Sequence, residues 1–300
     1  MTVTRKEFDR VILEREGRVA RIILNNPAHM NALDLPMYQA IGKAIDDLDD
    51  EDETRVAILK GAGKCFGAGG DLSVDTYKRE KSAESNIYVA WQRRRKRFLD
   101  VVYNKIRAFR KPTIAQVHGY VIGSHLSPAF ACDLVIASED CLIGQPETRS
   151  IGGHASGMMT LFTVGPMKTK ELLFTGDSIT GKTAAEWGII NKAVPADQLE
   201  EHVEWLADRI AKQALDQLSF LKASVNNAMD IMGYKSMVDS DICFLSLYRV
   251  TPANEEFRQS ALKHGLREAI ELRDAPYGGP QRHGTPLKIG NDFVGRREKE

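Results

Sequence analysis

The chain has 300 residues, with 41 lysines and arginines balanced by 41 aspartates and glutamates. A formal charge of zero offers no cationic field to nucleic acid or to an anionic membrane. With 43% hydrophobic and 27% charged residues wholesale disorder is excluded, and no run reaches the ~18 apolar residues of a membrane-spanning helix.

The opening MTVTRKEFDRV lacks the apolar stretch of a secretory leader. Cys65, Cys132, Cys141 and Cys243 stand far apart, with no CxxC pair and no histidine at metal spacing. Free thiols, no metal site and a cytoplasmic location are the expectations. In chain order, residues 8–25 read as a hairpin, FDRVILER and RVARIILN, turning at Glu16-Gly17. Asp34 precedes a helical pattern with Met37, Ile41, Ile45 and Leu48 on one face, ended by the acidic run from Asp46. RVAILKG (55–61) is a short buried strand, followed by the glycine-rich GAGKCFGAGGDL. Residues 73–100 read as a polar loop entering a helix that carries Arg93 to Arg97. PTIAQVHGY (112–120) reads as a strand, VIGSHLSPAFA (121–131) as a helix and DLVIAS (133–138) as a strand leading to GQPE.

Strands with nearly continuous apolar runs, alternating with helices, predict an α/β fold with a parallel sheet buried on both faces. From about residue 196 the pattern turns wholly helical, starting with Leu199, Val203, Leu206 and Ile210 on one face. The expected organisation is an α/β core over 1–195, a helical region over 196–277 and a Gly/Pro-rich extension over 278–300.

Two loops place small residues where main chain must approach something closely. Phe66-Gly67-Ala68-Gly69-Gly70-Asp71-Leu72 has three glycines in four positions. Gly119 to His125 lies where a strand gives way to a helix, whose first turn has unpaired N–H groups. Considered alone, the glycines read as tight turns. Converging N–H groups from both loops would make an oxyanion hole. A third segment, Gly176 to Thr183, satisfies G-x-x-x-x-G-K-[ST]. A P-loop NTPase is disfavoured, because MKTKELLF before it has helical spacing and no strand ending in aspartate follows for magnesium.

Taken together, RVARIILNNPAHMNALD, GAGKCFGAGGDL, KPTIAQVHGYVIGSHLSPAFACDLVIAS, GQPE, FTGDSITGKTAAEWGIINKAV and HGLREAIELRDAPY resemble the crotonase (enoyl-CoA hydratase/isomerase) superfamily. The resemblance implies a spiral of ββα units with a helical C-terminal region that assembles trimers or hexamers. Phe244, Leu245, Leu247 and Tyr248 suit either subunit burial or packing within the chain. It implies an acyl-CoA thioester substrate and no separate cofactor, since coenzyme A is part of that substrate. By position, Gly70 and Ser124 would supply the two oxyanion N–H groups. His29, in the segment Ala28–Asn31, would meet the adenine end; Ala68 and Leu72 would line the pantetheine path, with Asp71 in the same loop. Arg93 to Arg97 would either meet phosphates or form a solvated or subunit face.

Family hydratases hold a water between two glutamates. Here Glu147 occupies the second position, and Ser127 stands at the first. A serine hydroxyl cannot act as a carboxylate base. The Ser127…Glu147 pair is similar to the hydratase-lyases acting on hydroxycinnamoyl-CoA. Glu147 would then be the sole acid–base group, with Ser127 hydrogen-bonded to the attacking water. His125 and His154 are possible pocket residues; both in the pocket would suit a β-dicarbonyl C–C hydrolase. A non-catalytic assembly subunit is the remaining alternative. Neither nucleic acid nor membrane is an expected partner.

Overall fold

The expected hairpin comprises β2 (Val11–Glu16) and β3 (Val19–Leu24), paired antiparallel with Val11 opposite Leu24 and Glu16 opposite Val19. Gly17 closes the turn at φ +56°, a region costly for a side chain. The structure, a computed structural model, describes residues 3–71, 89, 92, 98–152, 159–248 and 250–281. A strand that the sequence reading lacked, β1 (Thr4–Phe8), pairs antiparallel with β2. It was hidden because TRKEF is mostly exposed and has no apolar face; such charged strands suit sheet edges.

Helix α1 (Leu35–Asp49) begins as expected. Asp34 caps it by accepting the Met37 N–H at 3.0 Å, and Met37, Ile41, Ile45 and Leu48 are buried. It runs through Asp46, so the acidic run overlaps its last turn rather than ending it. Strand β4 (Val56–Gly61) follows, and later a helical stretch over Phe98–Arg107 leads to β5 (Thr113–Val117). The chain then leaves the sheet. Val121 and Ile122, read above as helical, belong to β6 (Tyr120–Ile122). After a tight turn at Gly123–His125, α2 spans only Leu126–Ala131. Three β-branched or aromatic residues do not start a helix when a second sheet can pair them. Next come β7 (Leu134–Ser138), β8 (Leu142–Gly144), a turn at Pro146–Arg149, α3 (Leu161–Thr175), β9 (Ser178–Thr180), α4 (Gly181–Trp187) and β10 (Lys192–Val194).

A seven-stranded sheet has the order β1-β2-β3-β4-β5-β7-β10, parallel from β3 onward. A three-stranded sheet, β6-β8-β9, stands apart. Alternation divides the parallel strands between two cores. Ala57, Leu59, Ala115, Val117, Val135 and Ala137 join α1 and the small sheet in the larger core. Val56, Ile58, Ile114 and Ile136 face the other way. There they meet Leu199, Val203 and Ala207 of α5 (Leu199–Ala211), which covers the second face of the sheet. Helices α6 (Leu215–Ile231), α7 (Tyr234–Tyr248), α8 (Pro252–His264) and α9 (Leu266–Asp274) complete the described chain. On α7, Leu245 is buried and Tyr248 half-buried within the chain, while Phe244 and Leu247 are exposed. Among the described residues no helix is long and apolar enough to cross a membrane.

The P-loop look-alike is dismantled by its surroundings. Gly176 ends α3 in the left-handed conformation, and Thr180 Oγ1 caps α4 by accepting the Thr183 N–H at 3.1 Å. The Gly181 and Lys182 N–H groups donate to the carbonyls of Cys141 and Glu139, at 2.7 and 3.1 Å. A phosphate cradle needs such N–H groups free.

Lys111 is fully buried just before β5. Its ammonium donates to the Leu48 and Glu51 carbonyls at 2.5 and 2.6 Å and to Glu51 Oε1 at 2.9 Å, tying β5 to the end of α1. Burial works to raise the Glu51 carboxyl, but Thr54 and Lys111 outweigh it and hold Glu51 at about 2. That stabilisation is present above the ordinary carboxylate range and is lost as pH falls toward 2. Lys111→Met keeps the bulk and removes all three donations; it should destabilise the fold by ~3 kcal/mol. An unchanged urea midpoint at pH 7 would contradict this role.

Candidate active site

The glycine-rich loop is stitched down on both sides. Gly67 donates to the Tyr120 carbonyl at 2.9 Å and accepts from Ile122 N–H at 3.1 Å, a parallel bridge to Val121 in β6. Farther on, Leu33 N–H donates to the Gly69 carbonyl at 3.0 Å, and Asp71 N–H donates to the Leu33 carbonyl at 2.9 Å. In this bridge Leu33 engages the residues on either side of Gly70, so the Gly70 peptide groups face away from it. The Gly70 N–H has no acceptor among the described residues. The Gly123–His125 turn behaves similarly. Its closing N–H, from Leu126, bonds the Gly123 and Ser124 carbonyls, and the Ser124 N–H at its start has no acceptor among the described residues. The two loops touch: a methyl added to Gly70 would lie 3.3 Å from Ser124 Oγ.

Glu147 is delivered to this junction by the Pro146–Arg149 turn. A methyl added to Gly123 would lie 1.6 Å from its Oε1, and one added to Gly69 would lie 3.3 Å from the same atom. The carboxyl thus sits against the residue preceding each free N–H. Its Oε2 is shut from solvent and has no hydrogen-bond partner among the described residues. Burial pushes the Glu147 carboxyl up to about 7, with Asp274 acting the same way and its own main chain and Arg273 opposing. The turn is held rigidly. The Glu147 carbonyl accepts N–H groups from Ser150, Ile151 and Gly152 at 3.1, 2.8 and 3.0 Å. The Arg149 guanidinium, buried beside it, binds the Thr175 carbonyl, Asp177 and Asp274 at 2.9, 2.6 and 3.2 Å and lies 4.1 Å over the Tyr277 ring. Tyr248 of α7 donates to the Thr148 carbonyl at 3.3 Å.

The other expected residues fall in several places. Ser127 is fully buried in the first turn of α2 and has interaction partners inside the protein. His29 is exposed on the Pro27–His29 turn. Ala68 is half-buried and donates its N–H to the Met30 carbonyl at 3.1 Å, joining the His29 segment to the glycine loop. Asp71 is half-buried at the end of that loop. Leu72, His154 and Arg93 to Arg97 lie outside the described residues.

His125 departs from the expected pocket position. It is fully buried behind the glycine loop, where its Nδ1 accepts the Gly69 N–H at 3.0 Å. Burial pushes its imidazole down to about 3, against the opposing effect of the Asn31 and Gly69 main chain. An imidazole enclosed away from solvent, with its proton affinity this low, is a poor base for water, so the C–C hydrolase reading loses one of its two histidines.

One contributor was missed. Asn31, fully buried at φ +55°, donates Nδ2 to the Ala62 and Cys65 carbonyls at 3.0 and 2.9 Å, while its Oδ1 accepts the Asn26 N–H at 2.9 Å. It pins the His29 segment to the base of the glycine loop. The available signal was the asparagine itself, which tolerates left-handed backbone better than most residues.

Both the sequence and the fold have counterparts among known proteins. Residues 14–279 match the family model described as enoyl-CoA hydratase/isomerase. A Mycobacterium tuberculosis protein provisionally named an enoyl-CoA hydratase is 34% identical over 261 residues, spanning 80% of each chain. The crotonyl-CoA hydratase of Syntrophomonas wolfei is 31% identical over 227 residues, 74% of this chain and 83% of that one. The crystal structure of an enoyl-CoA hydratase from Mycobacterium smegmatis superimposes with a TM-score of 0.85 at 30% identity, covering 94% of this chain and all of that one.

Proposed function

The chain belongs to the enoyl-CoA hydratase/isomerase family, and we propose that it adds water to an α,β-unsaturated acyl-CoA, or eliminates it, with Glu147 as its single acid–base carboxylate. The thioester oxygen accepts from the Gly70 and Ser124 N–H groups, which draw electron density from the β-carbon. Water attacks that carbon as ionised Glu147 takes its proton; the resulting enolate is held by the two donors, each worth ~3–4 kcal/mol. Glu147 then gives the proton to the α-carbon, which closes the cycle and leaves a 3-hydroxyacyl thioester. Elimination runs the same steps backward. Ser127 hydrogen-bonds the attacking water.

The observation that carries this reading is the Glu147 carboxyl lodged against Gly69 and Gly123, one residue from each donor. A carboxyl at about 7 populates both proton-accepting and proton-donating forms near neutrality. The serine at position 127 favours a second reading as well. Moving a double bond takes a proton from the γ-carbon to the α-carbon or back, which one carboxylate does without water. Exposed Phe220, Leu221, Val225, Ile231 and Met232 on and beside α6 support self-association, as trimers or hexamers.

Turnover of 2-enoyl-, 3-enoyl-, hydroxycinnamoyl- and β-ketoacyl-CoA thioesters, followed by mass, tests the proposal. Hydration predicts a gain of one water on the 2-enoyl or hydroxycinnamoyl substrate. Rearrangement of the 3-enoyl thioester without mass change selects the isomerase reading. Inertness toward the whole panel would remove both.

A further inference from the structure

We propose that His125 is a positioning residue: its imidazole clasps the two oxyanion loops by taking the N–H of Gly69, and thereby aims the neighbouring Gly70 N–H. The inference rests on the oxyanion reading of Gly70 and Ser124 and extends it to a residue outside the reacting groups.

Three observations converge on this role. His125 directly follows Ser124, the second donor, in the Gly123–His125 turn, and its side chain reaches Gly69, the residue before the first donor. One residue therefore joins both halves of the hole. Next, Gly69 sits at φ +108°, a conformation that side-chain-bearing residues avoid; glycine reaches it freely but is not fixed there by its own backbone. Leu33 N–H holds its carbonyl at 3.0 Å and His125 Nδ1 holds its N–H at 3.0 Å. With both its N–H and its carbonyl held, Gly69 presents the following N–H in one direction. Finally, room for the ring is made by a glycine. A methyl added to Gly67 would lie 2.0 Å from His125 Nε2, 2.1 Å from Cδ2 and 2.3 Å from Cε1. Gly67 is absent from the residues of positive φ, so its backbone does not call for glycine; the imidazole does. Phe66 closes the other side edge-on, with ring centroids 5.9 Å apart.

Because Nδ1 accepts, the ring proton resides on Nε2. Burial keeps the imidazole uncharged across the working range, so Nδ1 stays available as an acceptor.

The test compares His125→Leu, which retains bulk without an acceptor, with His125→Asn, whose Oδ1 can take the place of Nδ1. Two readouts are used: kcat and KM on the substrate found in the panel, and the absorbance red shift of bound dimethylaminocinnamoyl-CoA, which reports carbonyl polarisation without turnover. Loss of a whole donor costs about 10²–10³ in kcat, so a misaimed one should cost about 10- to 100-fold. His125→Leu is expected to show that loss with KM changed less than about threefold, together with a smaller red shift. His125→Asn should return to within about fivefold of the parent kcat and regain the shift. Parental kcat and red shift in His125→Leu would overturn the clasp. Equal losses in both variants, accompanied by equal drops in melting temperature, would overturn it too, since they mark a packing role. If the parent protein polarises no bound probe, the oxyanion reading fails first and the clasp falls with it.

Discussion

Replacing Glu147 by glutamine is expected to lower turnover by about 10²–10⁴-fold and, at alkaline pH, to make the protein more stable. Both effects come from the same burial. The native carboxyl titrates at about 7, against 4.5 for its ordinary value. The folded state thus holds this proton more tightly than the unfolded chain does. The resulting stabilisation is complete below about pH 4.5, declines as pH rises, and is gone above about pH 7. The difference amounts to ~3 kcal/mol. Glutamine matches the neutral carboxyl in shape and never ionises, so the variant escapes this loss. Thermal melts of parent and Glu147→Gln should nearly coincide at pH 4.5 and separate by several degrees at pH 8. A pH-independent difference would mean that the carboxyl is not a buried proton holder. A loss of turnover below about tenfold would mean that it is not the principal acid–base group.

Gly123→Ala should lose nearly as much activity with the carboxyl still present. The added methyl would lie 1.6 Å from Glu147 Oε1 and 2.3 Å from its carboxyl carbon, so one of them must move. The carboxyl is the flexible end of a side chain, whereas Gly123 is fixed by the turn that bears the Ser124 donor. The carboxyl therefore leaves the junction. Displacements near 1 Å at a reacting group cost about 10²-fold, and this one is larger. Stability should fall less, by ~1–2 kcal/mol, from placing alanine at φ +56°. Glu147→Asp withdraws the carboxyl by one methylene and gives an internal check. In a double-variant cycle, Gly123→Ala should add far less loss on an aspartate background than on the parent. Additive losses would show that the glycine acts through the backbone alone, independently of the carboxyl.

Much of this site was readable one segment at a time. Asp34 announces α1 through its cap, and Met37, Ile41, Ile45 and Leu48 announce the face that helix buries. Three glycines between Gly67 and Gly70 mark a loop of close main-chain approach. Glu147 is picked out only by the likeness of GQPE to the enoyl-CoA hydratase/isomerase family. The cap, the helix face and the glycine run depend on neighbours within a turn or two, where periodicity, capping and φ preferences act. β1 escaped notice for the same reason, since an edge strand pairs through its main chain and needs no apolar face.

The remainder depends on contacts between distant segments. Gly70 and Gly181 look alike along the chain, as glycines entering tight turns. The first has no acceptor for its N–H among the described residues, because Leu33 bonds only the groups flanking it; the second gives its N–H to Cys141. His125 read as a pocket residue until Gly67 proved to be the space its ring fills. The helix α5, placed with the C-terminal region by its pattern, covers the second face of the parallel sheet. Glu147 acquires its high proton affinity from enclosure by parts of the chain remote in sequence, together with Asp274. Hydrogen-bond competition and desolvation are set by whatever packs nearby, and local pattern carries no record of that partner.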